Sequence, residues 1–541
     1  MCPDIDPTKN KVREICKRLK PILGERIDRF WQAYCFSDYK QRKDLETYLE
    51  MLNAKVIKEN LKKDNIILVP PSEEDALGTY YLGDIEYNEK TLYPFGLRES
   101  EWNQHVAVLG RSGSGKTNVG FIIVQELIKH DKDFLVFDWK RNYRDLLSLP
   151  GFGCLKVYTV GRSDLSPLRF NPLIPPKNVR PKVWLKLLIE VISHAYFLGE
   201  GVMYILQQAI DSVYREKGIY DGKIDNYPTF RDVLRWLKGY FPKAREVNWL
   251  SSTLRAVASL CFGQMDEIVN TDNNKGLDEL LNQKAILELD ALAVSDRTFI
   301  IESLLLWVYQ LRLSSPVREC FSHAILIEEA HHIFNQKKNF LCGETIMETV
   351  FRQCRELNES LIILDQHVSQ ISHYALANTY TTIVLNTKHK KDVDTVNKCL
   401  LLKEYEKDYS ILLSVGQAIV KLQDRIQHAF LTKVPEFTIK KGIITDEFIK
   451  ARMQQPDLSY SATDKERLFL MDILQYSDSS VVQRYERLSL GAREGTEIKE
   501  RLLSKGLVNQ EDTVTPKGRI KQLRLTEAGR TVLEADEAKP N

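Results

Sequence analysis

The chain has 541 residues, 43% hydrophobic and 28% charged, a soluble globular composition too long for one ordinary core, so two to three domains are expected. A net charge of only +2 excludes a global basic field, and any nucleic-acid contact has to be a local patch. Nine scattered cysteines without a C-x-x-C pair, an N-terminus with no apolar leader and the lack of any apolar stretch of bilayer length predict a cytoplasmic protein with free thiols and no integral membrane segment.

Residues up to about 61 read as helices, because Ile15, Leu19, Ile22, Ile27, Phe30, Trp31 and Tyr34 recur at helical spacing. Short strands are expected next, around the Pro/Ser/Glu loop in "NIILVPPSEEDALGTYYLGDIEY". From "HVAVLG" onward, short apolar runs alternate with long amphipathic segments. The predicted strands are "HVAVLG", "DFLVFD", "KAILELD", "HAILIE", "SLIILDQ" and "TTIVLN". Such near-continuous apolar strands between helices indicate a parallel sheet covered on both faces. Between residues 177 and 283 the chain is mostly helical, as a lid or insertion packed on that sheet would be.

The first strand runs into G-x-x-x-x-G-K-T, formed by Gly110, Arg111, Ser112, Gly113, Ser114, Gly115, Lys116 and Thr117, with an amphipathic helix after it. Glycines let backbone wrap around phosphates, and amides at a helix N-terminus point at the anion. Lys116 is expected to reach the β- and γ-phosphates and the Thr117 hydroxyl to ligate Mg²⁺. This is the pattern of a nucleoside triphosphate site.

The run "AILIEEAHHIF" ends in two adjacent glutamates, which repel each other and resist desolvation unless a positive partner lies there. In P-loop enzymes a second apolar strand ends beside the cradle and carries an acid for the metal. Glu328 fits that role through the water shell of Mg²⁺, and Glu329 can polarise the attacking water. A solvated pair at a helix start, where the macrodipole favours acids, is the alternative. The metal acid is more often Asp, so Glu328 is one methylene longer. His331 and His332 follow the pair and read as packing or capping partners. Downstream, "SLIILDQ" ends in Gln366, whose amide can contact the γ-phosphate. Arg352 and Arg355 lie one helical turn apart on the preceding helix, either as a surface pair or as an arginine finger delivered across a subunit boundary.

The motif series "GRSGSGKT", "FLVFDWKRNY", "ILIEEAHHIF", "FRQCRELNESLIILDQ" and "TTIVLNTKHKKDVDTV" resembles the HerA/FtsK branch of RecA-like ATPases, above all HerA-type DNA translocases, over roughly residues 75 to 435. "LRFNPLIPP" and the helical insertion are similar to the type IV secretion and conjugation ATPases of that branch. The resemblance implies an α/β RecA-like P-loop core that binds ATP and Mg²⁺. It also implies a homo-oligomer, a hexameric ring, that moves double-stranded DNA through its pore beside a nuclease or another effector, including effectors of antiphage defence. Asp138 matches the family's second-strand acid, but R-N-Y stands where the family has G-E-Y. Helices also replace the small β-barrel with which HerA proteins usually begin. A traffic ATPase at a secretion channel and an ATP-gated scaffold are the alternatives.

After "KVPEF" a polar linker, "ARMQQPDLSYSATD", leads to a last unit of three helices, a two-stranded wing and a closing helix. "LLSKGLV" and "GRIKQLRLTEAGR" are similar to winged-helix domains, and Lys517, Arg519, Lys521 and Arg524 are its candidates for phosphate contact. Acidic and basic residues balance in this unit, so a protein dock is the other reading. The expected organisation is a helical N-terminal region (1–74), the ATPase domain (75–440), a linker (441–462) and a winged-helix-like domain (463–541).

Overall fold

The computed structural model describes residues 7–57, 66–222, 226–274, 276–315, 321–335, 344–454, 464–476, 479, 481–488, 490–504, 507–515 and 518–526. They form two compact units. One holds residues 1–146, 155–163 and 167–441, the other 147–154, 164–166 and 442–541.

An eleven-stranded sheet is the spine of the first unit. In chain order its strands are β1 (Tyr80–Tyr87), β2 (Lys90–Leu97), β3 (Val106–Leu109), β4 (Asp133–Asp138), β5 (Leu155–Thr159), β6 (Lys284–Glu288), β7 (His323–Glu328), β8 (Glu359–Asp365), β9 (Thr381–Val384), β10 (Gln417–Leu422) and β11 (Phe430–Lys433). Across the sheet they run β2-β1-β11-β10-β9-β3-β8-β7-β4-β6-β5. All six apolar runs identified in the sequence are strands, and from β9 to β5 the sheet is parallel. Every residue of β3, β7, β8 and β9 is buried, which is why they lack the alternation of a one-sided sheet. β8 lies between β3 and β7, and the register sets Leu109 beside Asp365, Leu364 beside Glu328, and Phe137 beside Ile327. The C-terminal ends of β3, β8, β7 and β4 therefore share one edge, where ligands of open α/β sheets bind.

Helices cover both faces. Val294–Leu313 is apolar nearly all round and correspondingly buried along most of its length. Between β5 and β6 the chain makes the helices Pro181–Tyr196, Glu200–Glu216, Phe230–Gly239, Glu246–Leu260 and Gly263–Val269. Their apolar faces share the main core with the sheet, through Trp184, Leu188, Ile205 and Phe230.

The antiparallel side was less legible. β1 and β2 form a ribbon paired through β11 and β10 to β9, so the strand-rich piece before the cradle extends the central sheet. "NIILV" is not a strand among the described residues, and a four-residue helix, Glu73–Ala76, follows with Ser72 as its cap. The three N-terminal helices, Pro7–Leu23, Glu25–Phe36 and Tyr39–Ile57, pack Ile15, Leu19, Ile27 and Tyr34 around Tyr87 of the ribbon.

In the second unit the helices Asp464–Gln475, Val481–Arg487 and Ala492–Ser504 precede an antiparallel hairpin, β12 (Val508–Thr515) and β13 (Gly518–Leu525). Phe469, Leu470, Ile498, Leu502 and Leu523 make its core, and the Asp472 carboxylate accepts bonds from Arg484 and Arg487 at 2.8 Å. The expected closing helix lies outside the described residues.

Candidate functional site

The loop after β3 turns through Gly113 and Gly115, whose φ values of 75° and 106° lie where glycine is the default residue. Gly110 is required for space: a Cβ there would sit 2.7 Å from Ser114 Oγ and 2.9 Å from Leu385 Cβ. The loop ends at the N-terminus of the helix Lys116–Lys129, so free amides face the cavity beyond it. Lys116 Nζ donates to the carbonyls of Gly110 (2.8 Å) and Arg111 (2.9 Å). Burial holds its ammonium below the ordinary lysine range, and the nearby Glu329 and Asp365 offset this only in part.

A cavity of about 450 Å³ opens in front of this loop, within the usual range of ligand pockets. Ser112, Gly113, Gly115, Lys116 and Thr117 line one wall; Lys140, Glu328, Glu329 and Gln366 line another. Phe437, Ile439 and Lys441 close a third side. Asn118 pins that segment, donating to Pro435 O (2.8 Å) and accepting from Phe437 N (2.7 Å).

Four acids, Asp138, Glu328, Glu329 and Asp365, lie at the ends of β4, β7 and β8. Asp138 is fully buried; burial pushes its carboxyl up, against bonds accepted from backbone N–H groups that include Tyr143 and Lys140, both at 2.9 Å. Glu328 is also buried, and among the described residues its Oε2 has no hydrogen-bond partner. Burial, then the charge of Asp138, and to a lesser degree that of Glu329, drive its pKa up to about 8, with Lys140 pulling the other way. A buried carboxylate oxygen without a donor, in one cavity with Thr117, fits a cation, so these two residues suit Mg²⁺.

Glu329 takes left-handed backbone, φ 50° and ψ 45°, a conformation that costs a residue with a side chain about 1–3 kcal/mol and is found at functional sites. Its carboxylate accepts from Lys140 Nζ (2.5 Å) and from Gln366 Nε2 (3.1 and 3.2 Å). At the tip of β8, the Asp365 carboxylate accepts from the backbone N–H groups of His331 and His367, both at 2.6 Å, and lies 2.9 Å from His331 Nδ1. Burial alone would lower the His331 pKa, but the Asp365 bond and charge outweigh it and leave the imidazole raised. Ligand atoms of Glu329, His331 and Asp365 lie within 4.8 Å of one another, so His331 is a partner of the β8 acid as well as a packing residue. His332 stacks on Trp139, with ring centroids 4.6 Å apart.

The other sequence candidates are dispersed. Arg111 bonds Asn386 through Nε (2.5 Å) and lines a second cavity, of about 350 Å³, that shares Gln366 and Ser112 with the first and reaches Lys388, His389 and Asp392. Arg352 is exposed and pairs twice with Glu344 at 3.0 Å. Arg355 is exposed too, but it caps the helix Ile346–Cys354 and opens a 3₁₀ turn, so the two do not share one helix. Neither arginine lines the nucleotide cavity of its own chain. Lys517 lies outside the described residues, as do the side chains of Arg519 and Lys521, whose backbone is in β13. Arg524 is exposed on β13. Sequence reading missed Lys140, Asn118 and Asp365. The signal for Lys140 was its place two residues after the strand acid Asp138; for Asn118, its place directly after the G-K-T.

Residues 81–303 match the family described as "Helicase HerA, central domain". No curated protein matches the chain. Among solved structures, VirB4 of Thermoanaerobacter pseudethanolicus superposes with a TM-score of 0.52 at 16% identity, covering 66% of this chain and 97% of that one. The plasmid coupling protein TrwB, bound to a non-hydrolysable ATP analogue, aligns with a TM-score of 0.48 at 13% identity over 65% of this chain and 89% of its own. At such identities the likeness to VirB4 is one of fold: an α/β core on a mostly parallel, RecA-like sheet.

Proposed function

We propose, from the premise that residues 81–303 are a HerA-type central domain, that the chain is an ATP-driven motor moving double-stranded DNA through a ring of its own copies, a hexamer. The observation that carries this reading is the placement of Glu329 across one cavity from the phosphate cradle, oriented by two donors. An acid so placed beside a triphosphate site serves to polarise water. The loop 110–115 and Lys116 take the phosphates, and Thr117 and Glu328 hold Mg²⁺. When bound, the metal neutralises charge that develops on the phosphates. Gln366 bonds Glu329 and faces the cavity, so it can relay loss of the γ-phosphate. The exposed Arg355, or Arg352, reaches the site of the neighbouring subunit as a finger. The second unit acts as a winged helix whose Arg519, Lys521 and Arg524 meet DNA phosphates or a partner protein, and the motor feeds DNA to a nuclease or other effector.

A traffic ATPase of the secretion or conjugation kind is the second reading, favoured by the fold shared with VirB4. No helix among the described residues is long and apolar enough to cross a membrane. The deciding experiment is steady-state ATP hydrolysis with and without linear duplex DNA, with Glu329→Gln as the blank. Strong stimulation by duplex is expected of the motor. Hydrolysis indifferent to DNA would overturn it in favour of the traffic ATPase or an ATP-gated scaffold.

A further inference from the structure

Lys140 enters the cavity from the loop after β4, on the same wall as Glu329, which follows β7. Its ammonium lies 2.5 Å from Glu329 Oε1. Among the described residues it is the one cation that hydrogen-bonds this carboxylate; Lys116 bonds loop carbonyls instead. Exposed lysine pairs usually contribute little, because two long side chains must be ordered to make them. Here the backbone on both sides is already held. The Asp138 carboxylate fixes the Lys140 and Tyr143 amides, and Trp139 stacks on the His332 ring and has the Arg297 guanidinium 5.1 Å from its centroid. On the other side, the turn carrying Glu329 is tied to β8 through His331 N and Asp365. The Glu329 side chain is 12% exposed and that of Lys140 57%, so the pair is shielded from solvent at the carboxylate end.

We infer that Lys140 is a positioning residue for hydrolysis: it clamps one oxygen of Glu329 and leaves the other, which takes a 3.1 Å bond from Gln366, oriented to accept a proton from water. This rests on the reading of Glu329 as the water-polarising acid. The logic is that of a base oriented by a third group, where loss of the orienting group misplaces the base without emptying the site.

The test compares Lys140→Ala and Lys140→Arg in the full-length chain. Turnover is measured at saturating Mg·ATP, and affinity with a fluorescent ATP analogue. Lys140→Ala should lower kcat by about 10- to 100-fold, the range seen when groups that orient an active-site residue are removed, while affinity changes by less than about threefold. Lys140→Arg should recover most of the rate, since a guanidinium still reaches the carboxylate. An unchanged or raised kcat in Lys140→Ala overturns the inference. So does a loss of affinity as large as the loss of rate, which would make Lys140 a phosphate ligand. If Lys140→Ala does not fold, Lys140→Gln decides on the same two measurements. Wild-type and Glu329→Gln controls separate the two levels. A wild type without turnover, or a fully active Glu329→Gln, defeats the site reading itself. An active wild type and a dead Glu329→Gln beside an unaffected Lys140→Ala defeat this inference alone.

Discussion

Glu328→Gln offers a direct test of the acid cluster. In the folded chain burial, then the Asp138 and Glu329 charges, raise the Glu328 carboxyl from 4.5 to about 8 despite Lys140. A carboxyl whose folded pKa exceeds its unfolded value binds its proton more tightly when folded. Its penalty is therefore absent below the unfolded value of 4.5, grows as pH rises through the window up to about 8, and is complete above it. At about 1.4 kcal/mol per unit of pKa, ionising Glu328 in the folded chain costs on the order of 5 kcal/mol. Glutamine keeps the shape and cannot ionise. Followed by circular dichroism in EDTA, the variant should melt several degrees above wild type at pH 9, and the two should converge near pH 5. Mg²⁺ with ATP should close that gap by stabilising the wild-type carboxylate. Melting curves with the same pH dependence in EDTA would refute the account, because the carboxyl would then not be held neutral by its surroundings.

Lys116→Ala should lower ATP turnover by at least about 100-fold, since it removes the cation at the cradle; retained turnover in a coupled phosphate-release assay would dissociate the loop from catalysis. Gly115→Ala forces a Cβ onto a φ of 106°, at a cost of about 1–2 kcal/mol, and should weaken ATP binding in a calorimetric titration; undiminished affinity would show that the loop conformation is not what binds. Arg355→Ala should be nearly inactive alone but regain activity when mixed with Lys116→Ala subunits, each supplying what the other lacks. Mixed assemblies no more active than their parents would remove the finger in trans.

Much of the parallel core could be read from the chain because fully buried strands are apolar without interruption, and the six runs from "HVAVLG" to "TTIVLN" have that pattern. β5, β10 and β11 escaped notice for a physical reason. "LKVYT" alternates, "QAIVKL" carries a buried lysine, and "FLTK" is four residues long, so none stands out from loop composition. The cradle was legible since its chemistry is local. The rest of the cavity is not local: Lys140 meets Glu329 across 189 residues, and no spacing rule links them. Arg111 shows the converse. It belongs to the phosphate motif by position, yet its side chain turns into the neighbouring cavity because Asn386, after β9, offers it an acceptor.

The pairing of β1 with β11 has a consequence for how the protein is made. Asp84 lies opposite Lys433, so the ribbon at the start of the sheet cannot complete its ladder until the chain has been synthesised almost to the end of the first unit. The cavity waits equally long, since the wall at Phe437 is contributed last. Contacts so distant along the chain are slow to form, and an unpaired strand edge is prone to wrong partners in the meantime. A nascent chain halted before β11 would carry a finished phosphate loop on an unfinished sheet. Nucleotide binding in full therefore waits for the segment 437–441 to be made, and variants that slow late closure should fail by aggregation during synthesis before they fail as enzymes.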